Sequence, residues 1–304
     1  MREVVIIGGG LSGLAAAWEL AQRRIPHTLI EVKNRLGGAI ISQAQADFVL
    51  DGGPLFVPRA ADWAFLDELD LSNALVAVDD TRAVFRQGTQ TLVDALAKRL
   101  SAPPMKRMAV SSLGTLAPGV FGVCLENGIL LDTRALMIAA PARYAERMLR
   151  ELQGDIALRL LDFRYDTILR LSLGIHATDM PAPVSDDPIA FIDHTTAPER
   201  VPPDKALLQI GLRIRPDALP ADPLAALAAR LHWKAQILAQ RVDFWPEADL
   251  VRDAPVLEHL AAIPALLPPG VALIGSDYLA QDSLSARVWA ARAAAQRIAA
   301  YLGK

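Results

Sequence analysis

Three stretches of the sequence predict an α/β fold. Residues 3–24 read as an apolar strand, a glycine turn and a helix, and "HTLIEV" at 27–32 completes a βαβ unit of the length that packs a parallel pair with a crossover helix. In "GVFGVCLENGILLDTRALMIAA" (119–140) two strands meet at Asn127-Gly128, a dipeptide suited to tight hairpins because both positions tolerate positive φ, and a third strand runs up to Pro141. The C-terminal "VALIGSDYLAQDSLSARVWAARAAAQRIAAYLGK" offers a strand, a turn and a long Ala/Arg-rich helix. With α/β material at both ends, two interleaved domains are expected. The larger, over 1–57, 86–158 and 246–304, carries the βαβ unit and the β-meander; the smaller, over 58–85 and 159–245, is α+β on a mixed sheet.

The remaining elements follow from period and punctuation. After "DFVLDGGPLFV" (47–57), "ADWAFLDELDL" is a short helical pattern ending near Ser72, "TRAVFR" is a strand and "GTQTLVDALAKRL" a helix. Residues 165–175 and 205–214 are strand-like, and the Pro-rich polar runs 181–188 and 197–205 read as loops. Asp222-Pro223 starts a helix over 223–232, because Asp accepts from free N–H groups and Pro suits the first helical position. "ILAQRVDFW" (237–245) returns as a strand.

Composition narrows the function. A chain of 304 residues that is 52% hydrophobic buries a large core, and 31 basic against 34 acidic residues leave a net charge of −3, which offers no broad basic surface to nucleic acid or anionic lipid. Cys124 is the single cysteine, so an internal disulfide framework is ruled out and a cytoplasmic address is expected. The N-terminus runs straight into "VVIIG" without an export-signal pattern, and no apolar run reaches the roughly 18 residues of a membrane span. The five histidines, His27, His176, His194, His232 and His259, show no metal-ligand spacing, and no metal is expected.

Gly8, Gly10 and Gly13 form G-x-G-x-x-G after a strand and at a helix start. Gly8 makes the turn, Gly10 lets the backbone approach a pyrophosphate, and Gly13 allows close helix–strand packing, while free N–H groups and the helix dipole favour the anion. Glu31, at the end of the next strand, stands where a carboxylate accepts from a ribose hydroxyl and disfavours a 2′-phosphate. Arg35, Gly37 and Gly38 then add a second close-approach point, which a nicotinamide site does not need.

With that E-x-x-x-R-x-G-G run the sequence resembles the flavoprotein family of amine oxidases, protoporphyrinogen oxidases, phytoene desaturases and renalase. Asp51-Gly52-Gly53-Pro54 looks like its D-x-G-P element near the flavin ring, "QGTQTLVDALAKRL" is similar to its G-G-x-x-x-L helix start with Gln87 in place of the first Gly, and Val110 matches a position whose backbone meets the adenine. "LIGSDYLAQDSLSAR" resembles its last motif, with Asp277 at the ribityl chain but Ser276 in place of the Gly and Ala286, Ala290 and Ala291 where Gly or Ser is usual. The resemblance implies a Rossmann-like FAD-binding domain interleaved with a substrate domain, and FAD held without a covalent bond. It places Gly8, Gly10, Leu11, Ser12, Gly13, Glu31, Val32, Arg35, Gly37, Gly38, Gly53, Pro54, Val110, Ser276, Asp277 and Ser285 along the cofactor. Cys124, in a meander strand, is expected as a small buried hydrophobe instead of a flavin attachment point.

The thirty or so residues between Pro54 and Gly88 leave no room for the long helical insertion of the larger oxidases, and this compact plan is more like renalase. The resemblance implies an FAD-dependent oxidoreductase that takes hydride from a small dihydronicotinamide-, amine- or porphyrinogen-like donor and passes electrons to oxygen or a quinone. Phe56, Trp245 and Tyr278 are the aromatic candidates for substrate contact, His194 in the loop "FIDHTTAPER" is the histidine candidate, and Lys205, Arg213 and Arg215 are cations that could meet an anionic substrate. The alternative is a non-catalytic FAD-binding subunit or scaffold that needs a partner to complete its substrate cavity. Assembly as a homo-oligomer or with a partner subunit is left open.

Overall fold

The computed structural model describes residues 1–182 and 188–304; of the predicted loop 181–188, residues 183–187 lie outside the described residues. The chain starts with β1 (Arg2–Ile7), α1 (Leu11–Gln22) and β2 (His27–Glu31). The hairpin β3 (Ser42–Gln45) and β4 (Phe48–Asp51) precedes β5 (Val57–Pro58), α2 (Phe65–Glu68), β6 (Leu75–Ala77), β7 (Arg82–Phe85) and α3 (Gln90–Ala97). Then come β8 (Met105–Lys106), β9 (Val110–Ala117), β10 (Val120–Leu125), β11 (Leu130–Ile138), α4 (Ala142–Leu149) and α5 (Gly154–Leu161). The last part holds β12 (Tyr165–His176), β13 (Ile189–Thr195), β14 (Lys205–Arg213), α6 (Pro223–Leu231), β15 (Ala239–Leu250), α7 (Ala254–Leu266), β16 (Val271–Leu273) and α8 (Leu284–Tyr301).

These elements gather into two units, residues 1–38, 93–163 and 252–304 in the first and 39–92 with 164–251 in the second. The interleaving expected from sequence is therefore present, but 39–57, 86–92 and 246–251 group with the second unit and 159–163 with the first. The reason is visible in β4: Asp51, Gly52 and Gly53 give their carbonyls to side chains of β12, β14 and β15.

In the first unit β1 lies between β2 and β11, parallel to both, and β16 adds to β11 in parallel. Val4–Ile7 are all buried, as a strand covered on both faces requires. The meander is β9–β10–β11, antiparallel throughout, with Gly128 at φ +83° and Asn127 Oδ1 accepting from Ile129 N at 3.1 Å in the turn. One detail differs from the expected reading: 130–138 is a single strand, and the third strand comes before the hairpin. Asp132-Thr133 resembles a break, but the buried Thr133 hydroxyl donates to Ala135 O at 3.0 Å and the strand continues. Cys124 is half-buried on β10, opposite the exposed Leu130, instead of fully buried.

In the second unit the sheet order is β13-β14-β12-β15, and every pairing is antiparallel where a mixed sheet is expected, because loops and α6 reverse the chain between strands. Its apolar face, with Leu169, Leu171, Leu173, Ile210 and Leu212, packs with Leu227 of α6. Asp222 caps that helix as expected, accepting from Ala225 N at 2.9 Å.

Packing of α1 on α8 within the first unit encloses a charge. Glu19 of α1 is 3% exposed and accepts from Arg292 at 2.7 Å, Arg23 at 2.9 Å and Gln296 at 3.0 Å, while the Arg292 guanidinium lies 4.5 Å from the Trp18 ring and 5.1 Å from that of Trp289. Burial alone would raise the Glu19 carboxyl, but the hydrogen bonds from Arg292, Gln296 and Arg23 outweigh it and hold it below its ordinary value. Glu19 therefore contributes stability above the unfolded carboxyl value that is lost as acid drives it through its lower folded value. Urea unfolding is expected to show Glu19→Ala destabilised by about 3 kcal/mol at neutral pH, because the buried Arg292 guanidinium loses its carboxylate. The gap between wild type and Glu19→Gln is expected to close as the pH is taken below that folded value.

Candidate functional site

The glycine turn is closed by its own backbone. Gly8 has φ +108° and donates to Ile30 O at 2.8 Å, and a Cβ at Gly13 would lie 1.9 Å from Gly8 O, so only glycine lets α1 sit this close to the strand end. Gly10 is different. It has an ordinary φ of −74°, and a Cβ there would meet nothing nearer than Gly38 Cα at 3.9 Å. The protein's own packing does not demand glycine at 10; the missing side chain leaves an open approach to the helix start. No side chain caps α1 and its first turn carries no acid, so its leading N–H groups and dipole face that opening uncompensated.

The second half of the motif is tied to the first through Glu31. Its buried carboxylate accepts from Gly9 N at 2.6 Å and Lys33 N at 2.7 Å, and Gly37 N donates to Gly9 O at 2.8 Å. Arg35 donates to Leu36 O at 3.2 Å and to Gly38 O at 2.5 Å, which shapes the turn that brings Gly38 opposite Gly10. Val32, just past the end of β2, is 61% exposed.

The last motif also lies in the first unit. Asp277 is 7% exposed; one carboxylate oxygen accepts from Ala142 N at the start of α4 at 2.8 Å and the other from the Ser276 hydroxyl at 3.0 Å. The turn 276–279 is clamped by Arg252, which donates to Leu279 O at 2.9 Å and Ser276 O at 2.8 Å. Ser283, one position that the sequence reading passed over, caps α8 by accepting from Ala286 N at 3.1 Å, with Ser285 buried in the first turn. Val110 opens β9, half-buried, opposite Leu125.

In the second unit the Asp51–Pro54 segment rests on a buried ion pair. Asp51 and Arg200 are both 0% exposed and meet at 2.7 Å; Arg200 also donates to Phe85 O at 2.9 Å, and Asp51 accepts from the Ser42 hydroxyl and from Thr89 N and Oγ1, each at 3.2 Å. Asp51 O accepts from Ser172 at 2.7 Å and Gln209 at 3.0 Å, Gly53 O from Gln209 at 3.0 Å, and Gly52 O from the Trp245 indole at 3.1 Å. Gly53 is buried and Pro54 exposed.

The substrate candidates divide. Phe56 packs partly buried against the core of the second unit with the Arg82 guanidinium 4.2 Å over its ring, and Trp245 is held by Gly52. The Tyr278 hydroxyl donates to Ala140 O at 2.9 Å within the first unit. His194 is not in a loop: "FIDHT" belongs to edge strand β13, whose half-polar sequence and Pro-rich flanks read as a loop, and His194 is exposed opposite Leu208. Lys205 Nζ lies 2.9 Å from His176, Arg213 pairs with Asp166 at 3.3 Å and Arg215 with Asp217 at 3.5 Å. Arg200, Gln209, Ser172 and Arg252 were missed, because a polar residue in a strand or loop carries no sign in sequence of what it bonds.

Comparison with known proteins bears on the fold. Residues 6–69 match the NAD(P)-binding Rossmann-like domain family. The whole chain superimposes on a protein of Exiguobacterium sp. 255-15 provisionally named protoporphyrinogen oxidase, with a TM-score of 0.72 and 12% identity, covering 100% of this chain and 99% of that one. A double mutant of putrescine oxidase gives a TM-score of 0.79 at 13% identity, covering 98% and 99%. The chain has the fold of these oxidases. In sequence, 83 residues (27% of the chain) are 34% identical to coproporphyrinogen III oxidase of Propionibacterium freudenreichii, and 91 residues (29%) are 40% identical to hydrogen cyanide synthase subunit HcnB of Pseudomonas protegens. These matches span 16% and 19% of the two curated relatives. Among the described residues no helix is long and apolar enough to cross a membrane.

The Asp51–Arg200 pair makes a direct prediction. Arg200→Met leaves a buried carboxylate with neutral donors only and is expected to cost about 3–5 kcal/mol in urea unfolding, whereas Asp51→Asn in the same background is expected to restore part of the loss.

Proposed function

We propose that the chain binds FAD without a covalent bond and works as an oxidoreductase, taking hydride from a small dihydronicotinamide-, amine- or porphyrinogen-like donor with oxygen or a quinone as final acceptor. The observation that carries this reading is the open approach at Gly10 facing Gly38, two glycine turns locked to each other through Glu31 and Gly9. A nicotinamide site uses the first turn; the second, with Arg35 and Gly38, supports a longer dinucleotide.

When bound, the flavin supplies the hydride acceptor at N5 and the route for electrons onward. The chain's own residues bind and orient it. The N–H groups of Leu11, Ser12 and Gly13 and the α1 dipole take the pyrophosphate, with Gly8 shaping the turn beneath it. Glu31, with lone pairs left after its two backbone bonds, accepts from the ribose, next to Val32 and with Val110 at the adenine. Arg35, Gly37 and Gly38 continue the cradle, and Asp277 takes the ribityl hydroxyls with Ser276 and Ser285 beside it. In the second unit, which takes the substrate on this reading, Phe56 and Trp245 offer ring faces to a planar donor.

The match to a protein named as a synthase subunit favours one second reading, a flavin-carrying subunit whose donor site is completed by a partner. The test starts from the visible spectrum of the purified protein. One bound flavin per chain is expected, bleaching anaerobically on titration with one of the dihydronicotinamides, amines or porphyrinogens; a loaded flavin that stays oxidised across that panel selects the subunit reading. Gly10→Val and Glu31→Arg are expected to lose flavin. Stoichiometric flavin in either variant defeats the assignment, and Gly13→Ala, which clashes with Gly8 O, serves as the control that fails by misfolding.

A further inference from the structure

Arg170 differs from the cations that the sequence singles out. It sits on β12, on the sheet face opposite the leucine cluster, in register with Gly211 and Asp243. Among the described residues its guanidinium makes one hydrogen bond, 3.5 Å from Nη1 to Gly52 O, and has no carboxylate within 4 Å. Nε is sealed from solvent without a partner, and Nη2 also makes no hydrogen bond among the described residues. The Phe191 ring backs the group at 5.2 Å.

The nearby acids are engaged elsewhere. Asp243 holds Arg241 through both oxygens, at 2.6 and 2.7 Å, and Asp193 faces Arg82 at 3.7 Å. Burial pulls the Arg170 guanidinium below its ordinary value, and Asp249, Asp243, Asp51 and Asp193 offset this from a distance. A partly desolvated cation with so few bonds carries a cost that an incoming anion would relieve.

We infer that Arg170 is the anion-binding residue of the second unit and that the donor carries a carboxylate attached to a planar ring. This rests on the reading above that the second unit takes the substrate. The guanidinium offers Nη1 and Nη2 as a fork to two carboxylate oxygens, and Phe56 and Trp245 in the same unit offer ring faces to the planar part. A single negative charge suits the place: Asp193 and Asp243 would repel a phosphate dianion more strongly than a carboxylate. Sequence alone hides the residue, since an Arg in an alternating strand looks like a solvent-facing one.

The test titrates 2-naphthoate, 2-naphthamide and 2-naphthyl phosphate into the purified protein, following the flavin absorbance and tryptophan fluorescence. Naphthoate is expected to bind at least about tenfold tighter than the amide and tighter than the phosphate. Arg170→Met is expected to erase the preference over the amide, and Arg170→Lys to keep part of it, at unchanged flavin content. Equal binding of acid and amide, no binding of either, tighter binding of the phosphate, or a preference surviving in Arg170→Met overturns the inference. If Arg170→Met does not fold, wild type and Arg170→Lys decide. Protein that purifies without flavin fails the cofactor reading instead, and tryptophan fluorescence then still reports on Arg170.

Discussion

The Glu31 carboxylate is the interaction on which the nucleotide end depends. It spans two turns that the chain makes after different strands, accepting from Gly9 in the first and Lys33 in the second. Without it the Gly10 and Gly38 turns would be two independent loops, each with its own conformational entropy to lose. With it, and with the Gly37 N–H on Gly9 O, they are one surface that is shaped before any ligand arrives. The carboxylate also keeps acceptor capacity beyond its two backbone bonds, so the group that builds the cradle is the group suited to a sugar hydroxyl.

Asp51 does comparable work in the second unit by a more costly route. A fully buried carboxylate–guanidinium pair gives little net stability against apolar residues of the same volume, because desolvation cancels much of the attraction. What it does give is orientation: Arg200, Thr89 and Ser42 fix the carboxylate while Ser172, Gln209 and Trp245 take the three carbonyls that follow. A glycine pair that would otherwise be free to move is therefore pinned on the sheet. Arg200 Nε stays unpartnered, which shows that the network is built around Asp51 and not around the arginine.

How much of this was legible follows from which atoms do the work. Where backbone must come close, glycine is obligatory, and Gly8, Gly13 and the Arg35–Gly38 turn announced the first unit from sequence. Caps were equally plain, since Asp222-Pro223 has a single physical use. Strand β13 was not, because its edge position leaves "IAFIDHT" half polar and its flanks are loop-like. Ser172, Gln209, Arg170 and Arg200 were illegible for a deeper reason: a side chain's partner is set by sheet register, and register does not show in one strand read alone.

The same division explains why the cofactor is easier to read than the substrate. Pyrophosphate and sugar are met by backbone N–H groups, glycine gaps and one or two carboxylates, whose positions repeat with the βαβ unit. A donor in the proposed place would be met by whatever side chains one face of a sheet presents, and that face mixes Arg170, Phe191, Asp193, Gln209 and Trp245. Its charges are nearly all paired among themselves, so they define no preference. Arg170, with one long hydrogen bond and no carboxylate partner among the described residues, is then the group of that face with binding energy still to give, and on the inference above the chemistry of a donor would follow from it more than from the aromatic rings beside it.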